Sequence, residues 1–272
     1  MAHTAQERYS SLVDLKLRAT LVQKDGIVWN NRYEGDPKAG SVNVPVRDTE
    51  VTVAAYNKQT GVNKTHGATT YLKVPIDKDY AVNELIDGFD AAAVPDNLVA
   101  DRLDSAGYSL ALQVNSDSTA ALVAGGTEMT DKTALTKNNV YEAFVKTRTI
   151  MSKANIPSTG RYALVSPETY ALLLLCPEFV RATSLGDDVV QTGAVGRIAG
   201  FTVFEDVTLP NKTEFIAGHP DWCTRIKEWA VPVKVQDLSG SGDYIGASAV
   251  QGRIVYAHKV TKAVAVQIKE TA

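Results

Sequence analysis

GRYALVSPETYALLLL (residues 160–175) and, after a polar stretch, GAVGRIAGFTVFEDVTLP (residues 193–210) decide how this chain reads. The first segment predicts a short apolar strand at 162–165, closed by Ser166 and Pro167, then a helix of about two turns over 168–176. A glycine-punctuated loop leads into a second strand at 201–207, which stops at Leu209 and Pro210. Gly193, Gly196 and Gly200 do not have G-x-G-x-x-G spacing, and they lead into a strand rather than following one. A tight turn needing glycine torsions accounts for them better than a phosphate cradle.

Around this unit the pattern alternates between helix and strand. On its N-terminal side, residues 137–154 predict a helix with Val140, Phe144, Thr147 and Met151 on one face. On its C-terminal side come a short strand at 214–217 and a linker with His219, Trp222 and Cys223. A strand at 227–236 broken by Pro232 follows, then a Gly/Ser joint, and strands at 249–259 and 264–269.

Residues 95–123 predict the longest helix, opened by Pro95 and Asp96 and stopped by Gly125 and Gly126. It spans about 40 Å at 1.5 Å per residue. Its stripe of Leu103, Ala106, Leu110, Val114 and Ala121 is small and broken by Gly107, Ser109 and Asp117. From 30 to 70 there is no Leu, Ile, Phe, Met or Trp; the apolar residues are valines alternating with polar residues, a few alanines, Pro37, Pro45 and two tyrosines. The alternation resumes at Leu72, Val74 and Ile76, beyond a polar tip at 57–70. This predicts a long β-hairpin almost without core-sized side chains. It lies either on its own protein or on a foreign surface, since an isolated hairpin is marginal in water. Residues 4–24 predict an amphipathic helix with Leu12, Leu15, Ala19 and Val22 on one stripe, either an arm that docks elsewhere or a core helix.

The chain has 272 residues, 44% of them hydrophobic, with 28 basic and 31 acidic side chains and a formal net charge of −3. That balance argues against nucleic-acid binding through a basic face. No signal pattern or window of 18 apolar residues occurs, which predicts a soluble, intracellular product without membrane contact. Cys176 and Cys223 therefore read as buried thiols, and the sequons at Asn63 and Asn211 carry little weight. The four histidines have no metal-ligand spacing, and there is no Walker A sequence or nucleophile elbow. Glu205 and Asp206, at a strand end, read as solvated acids. No catalytic, cofactor or metal residue is expected.

The order strand, Ser-Pro, helix, loop, Gly-rich turn, strand, Leu-Pro resembles the axial domain of tailed-phage major capsid proteins of the Hong Kong 97-type fold. The resemblance implies an α+β chain divided into an N-terminal arm (1–34), an extended β-hairpin loop (35–79), a peripheral domain with a long spine helix (80–131) and an axial domain (132–236). Return strands (237–272) rejoin the peripheral sheet. It implies a major capsid protein, assembled in the host cytoplasm into hexamers and pentamers of an icosahedral virion shell around double-stranded DNA. Its partners would be other copies of itself, portal and scaffolding proteins, and DNA held by weak, non-specific contact. Because the arm starts within a few residues of Met1, a separate scaffolding protein, or none, is expected.

The resemblance places inter-subunit contacts at Leu12 and Leu15 of the arm and at Val42, Val44, Val46, Val51, Val53, Tyr56, Lys58 and Lys64 of the hairpin. Some capsids of this fold join such a lysine to a neighbour's asparagine. The sequence identifies no partner for that reaction, so Lys58 and Lys64 read as solvated. Arg8, Lys16 and Arg18 are the arm cations available for phosphate. The same fold also builds nanocompartments around cargo enzymes, and a soluble α+β hydrolase is the reading from another class. The hydrolase would need a convergent catalytic set, which the sequence lacks.

Overall fold

The computed structural model describes residues 16–47, 50–64, 66–94, 97–176, 196–239 and 244–271. In chain order the elements are β1 (Ser41–Val46), β2 (Thr70–Pro75), β3 (Lys78–Ile86), α1 (Gly88–Ala93), α2 (Leu98–Gly125), β4 (Thr127–Glu128) and α3 (Val140–Lys153). They continue with β5 (Tyr162–Val165), α4 (Pro167–Leu174), β6 (Arg197–Ile198), β7 (Phe201–Glu205), β8 (Thr213–Gly218), β9 (Cys223–Asp237), β10 (Ser248–Val260) and β11 (Val266–Glu270). Three sheets result: β1-β2, β3-β10-β9 and β4-β11-β8-β5-β7-β6.

The quoted stretch sits inside the six-stranded sheet. Every residue of β5 is buried, as a continuous apolar run requires when both faces of its sheet are covered. On one face, Ala163, Val165, Phe215 and Ala217 meet α3 and α4. The α3 face predicted from spacing, Val140, Phe144, Thr147 and Met151, is buried there, with the Phe144 ring stacked on Phe215 at 4.4 Å. On the other face, Leu164, Ile216, Val266 and Ile268 meet Val28, Trp29 and Leu122 of α2. Ser166 caps α4 by accepting from the Thr169 amide, and Pro167 opens its first turn. Ala199 and Gly200 form the hairpin turn between β6 and β7, with φ of 47° and 90°, the pair of positive angles a two-residue primed turn needs; Gly193 lies outside the described residues.

In the three-stranded sheet β9 is continuous across Pro232. Lys234 faces Gln251 and Val231 faces Arg253, so Pro232 and Val233 oppose Gly252 alone. This β-bulge accommodates the missing proline donor. Helix α2 lies on one face, burying Ala106 against Ile86 and Val250. Pro95 and Asp96 lie outside the described residues, and Asn97 caps the helix by accepting from the Ala100 amide. Two strand placements differ from expectation. β9, read as part of residues 132–236, pairs with β10 and not with the six-stranded sheet. β11 does not return beside β10; it pairs with β8 and β4. The sequence shows that these segments are strands, but their partners are fixed by long-range packing.

The amphipathic helix expected over 4–24 is not what residues 16–24 form: they carry no helix, while Leu12 and Leu15 lie outside the described residues. The segment runs extended along α2. Lys16 pairs with Asp101, Arg18 with Asp104, the Ala19 amide donates to Tyr108 Oη and the Gln23 amide to Asn115 Oδ1. Extended chain from 16 to 23 covers about 23 Å, and α2 from 101 to 115 rises about 21 Å. A helical strap would reach only half as far, so these partners select the extended form.

Candidate assembly surfaces and the buried polar junction

The hairpin divides into a base packed on its own chain and an uncovered tip. β1 and β2 pair antiparallel, with Val42 opposite Val74 and Val44 opposite Leu72. Val44 is 2% exposed and packs with Val74, Ile226 and Ala257, while Val42 and Leu72 are partly buried in the same cluster. Val44 thus spends its apolar surface inside the chain, and Val42 spends part of its own there. Val46, the last paired position of β1, is half-buried.

Beyond it the side chains face solvent. Val51, Val53 and Tyr56 are 85%, 94% and 75% exposed, and Lys58 and Lys64 are exposed with them. Residues 50–56 pair with no strand, although their valines alternate as a strand's would. Burying a Val or Tyr of this kind contributes about 1.5–3 kcal/mol. Nothing among the described residues supplies the cover.

A second feature was not anticipated. Where the strap, α2 and both large sheets meet, the inward face of α2 is polar: Asn115, Ser118 and Thr119 are buried beside Leu122. Gln23 Nε2 donates to Asp206 Oδ2 at 2.8 Å and also to Thr119 Oγ1. Asp206 accepts in addition from the Thr208 amide (2.9 Å) and hydroxyl (2.6 Å). Asp206 is 0% exposed, which corrects its reading as a solvated acid; the chain turns back on it, and Gln23 completes its shell.

Next to this cluster, Arg225 binds Asp25 Oδ1 (2.7 Å), the Gln23 carbonyl (2.9 Å), Ser118 Oγ (2.8 Å) and His258 Nε2 (2.8 Å). Burial lowers the Arg225 pKa, and the adjacent Asp25 charge opposes that. Burial, then Arg225 and Lys78, depress His258 to about 3, so its imidazole stays neutral and its Nε2 accepts a hydrogen bond from Arg225 Nε. The strap is therefore held by polar contacts that also tie the two sheets together.

Burial pushes the Cys223 thiol up to about 12, far from a reactive thiolate, and Cys176 is also buried. Among the described residues no cluster of His, Cys, Asp and Glu could hold a metal ion, and no helix is long and apolar enough to cross a membrane.

A subunit with an uncovered apolar hairpin tip, a long helix bracing one sheet and a second sheet covered by two further helices has the form of a shell-building protein. A family model described as phage capsid protein matches residues 84–267, and the chain belongs to that family. By sequence comparison alone, no curated protein matches. Among solved structures the chain is similar to one from Mycobacterium phage Che8 (21% identity, 97% of this chain and 96% of that one, TM-score 0.81). It is similar also to the capsid structure of the cyanophage P-SCSP1u (14% identity, 98% and 93%, TM-score 0.81). The capsid of a native GTA particle is a third likeness (12% identity, 98% and 95%, TM-score 0.64). The fold is the Hong Kong 97-type capsid fold, and the protein is a structural, non-enzymatic component of a virion shell.

Proposed function

We propose that this chain is the major capsid subunit, assembling in the host cytoplasm into hexamers and pentamers of a closed icosahedral shell around double-stranded DNA. The observation that carries this reading is the hairpin tip, whose Val51, Val53 and Tyr56 have no cover in their own chain. In this reading the three-stranded sheet with α2 is the peripheral region, and the six-stranded sheet with α3 and α4 is the axial region. The hairpin and the residues before the strap make contacts to neighbours. Many modest contacts of this kind, repeated by symmetry, make assembly steep in concentration. A portal protein and a scaffolding protein are the further partners the reading calls for. Electron microscopy and sedimentation of the purified chain, with and without a scaffolding protein, test it. Rings or shells are expected, and a strictly monomeric profile at high concentration overturns it.

A further inference from the structure

The strap is anchored at its two ends by different means. Near its start, Lys16 with Asp101 and Arg18 with Asp104 are ion pairs partly open to solvent, which hold little on their own. At its other end the hold is buried and passes through one guanidinium. Arg225 Nη2 donates to the Gln23 carbonyl and Nη1 to Asp25 Oδ1, while Nε donates to His258 Nε2, directly across the β9–β10 ladder. Ser118 of α2 lies against both, its Oγ 2.8 Å from Arg225 Nη2 and 2.9 Å from His258 Nε2. Because Nε2 accepts, the ring proton sits on Nδ1, which has no hydrogen-bond partner among the described residues. The other groups facing the ring are Lys78 of β3, Trp29, and Tyr256, whose hydroxyl donates to Asp117. No carboxylate among the described residues pairs with the ring; Asp25 lies behind Arg225 and is shared with Lys227.

We propose that the strap is a latch keyed by His258: a proton on the imidazole drives Arg225 off the Gln23 carbonyl and Asp25, and residues 16–25 lift from α2 and β9 while both large sheets stay folded. The latch goes beyond the capsid reading and does not depend on it. Once protonated, Nε2 becomes a donor facing the Arg225 Nε–H, so two cations meet across one rung of the ladder with no acid between them. Arg225 cannot turn aside while it holds the strap, because the same guanidinium makes all these bonds. Releasing the strap lets it swing into water. Burial, then Arg225 and Lys78, keep the ring neutral in the closed form down to about pH 3. When the strap lifts, water reaches the ring and Arg225 leaves it, which returns it toward the ordinary value of about 6.5. Between these values each pH unit of acid favours the lifted form about tenfold. Lifting also breaks the Gln23–Asp206 bond, which keeps the latch shut at neutral pH. The strap is one wall of a groove of about 600 Å³, so its departure uncovers Leu110 and Val114 of α2 and Ala230 and Val231 of β9.

Thr119, buried on α2 under Gln23, gives the test site. In the full chain carrying Thr119→Cys, labelling with dithiodipyridine reports lifting, while Cys176 and Cys223, both buried, report unfolding. Each rate is divided by that of a free thiol at the same pH. The new thiol should react at least about tenfold faster than the native pair, as a local opening does. It should also react about twenty-fold faster at pH 5 than at pH 7. His258→Gln, which keeps an acceptor for Arg225 and takes no charge, should abolish that rise. Hydrogen exchange of the Gln23 amide, held by Asn115 Oδ1, repeats the measurement without the cysteine and should show the same pH dependence. Labelling no faster than that of the native thiols overturns the proposal, since the strap would then leave only on unfolding. A rate that does not change with pH, or a rise that persists in His258→Gln, overturns it as well.

Discussion

Gln23 and Asp206, 183 positions apart in the chain, are joined by a hydrogen bond of 2.8 Å between buried side chains. The bond links the strap to the end of β7, and α2 joins it through Thr119. Three parts of the molecule that share no local sequence thus depend on one another through one amide and one carboxyl group.

Replacing Asp206 with Ala leaves the Gln23 amide and the Thr208 amide and hydroxyl without their acceptor. Orphaned buried donors cost about 1–3 kcal/mol each, partly recovered by water or rearrangement. Asp206→Ala should therefore lower stability by about 3 kcal/mol, read as a fall in Tm of about 6 °C or more. Gln23→Ala should have a smaller effect, and the double variant should be less destabilised than the sum of the two. Additive effects would mean that the bond contributes nothing of its own.

The neutral His258 makes stability depend on pH in a known direction. In the folded chain it takes up a proton only near pH 3, whereas in the unfolded chain it does so near 6.5. Between those values the unfolded state binds more protons, so stability is full above 6.5 and falls as pH drops. The slope approaches about 1.4 kcal/mol per pH unit, or about 2 kcal/mol lost between pH 6.5 and 5. The groups facing the imidazole are Arg225, Ser118, Lys78 and the rings of Trp29 and Tyr256, with Asp25 behind Arg225. His258→Gln keeps an acceptor for Arg225 and removes the titration. Urea midpoints at pH 7, 6 and 5 should fall for the wild type and stay nearly flat for the variant.

At the bulge, a Cβ on Gly252 would lie 2.7 Å from Val233 Cγ2 and 3.1 Å from Val233 Cα. Gly252→Ala should cost about 1–3 kcal/mol through overpacking. Val233→Ala in the same chain should recover part of that, since it removes the nearer atom. Thermal melts of the single and double variants decide the matter. Equal melts for wild type and Gly252→Ala would show that the strands separate there without cost.

The parts of this fold legible in the sequence are those set by local periodicity. Val140, Phe144, Thr147 and Met151 recur at helical spacing, and residues 162–165 form an uninterrupted apolar run, so α3 and β5 follow directly. The hairpin follows from alternating valines, yet the burial of Val44 depends on Ile226 and Ala257, far along the chain. The polar junction had no comparable signal. Gln23, Asn115, Thr119, Asp206, Arg225 and His258 come from separate segments and obey no spacing. The interruptions of the α2 stripe, Gly107, Ser109 and Asp117, are not the residues that form it; Asn115, Ser118 and Thr119 are. The strap was misread because Ala19 and Val22 fit a helical stripe, while the contacts that select extended chain lie on α2.

The tip should matter for assembly and not for folding. Val51, Val53 and Tyr56 make almost no use of their own chain, so replacing all three with Ser should leave Tm within about 1 °C of wild type. Shell yield should fall at least tenfold, because each lost contact is repeated in every copy of the shell. Melting curves and particle counts from the same preparations check both halves. A large drop in Tm would place the tip on its own subunit.

Binding to duplex DNA should be weak. Arg8 lies outside the described residues, and the other two arm cations are engaged: Lys16 with Asp101 and Arg18 with Asp104. Arg32, Arg102, Arg225 and Arg253 are likewise paired with acids, which lowers the number of described cations free to replace counterions on phosphate. A shell filled with a close-packed genome also works best if it does not grip that genome locally. Dissociated subunits titrated with a fluorescent mixed-sequence duplex at physiological salt should bind more weakly than about 10 μM, without sequence preference, and lose that binding as salt rises. Reversing Asp101 and Asp104 to Lys should free the arm cations and tighten binding measurably. Tight, sequence-selective binding by the wild-type chain would require an organised basic site, and a nucleic-acid-reading role would then replace the passive one.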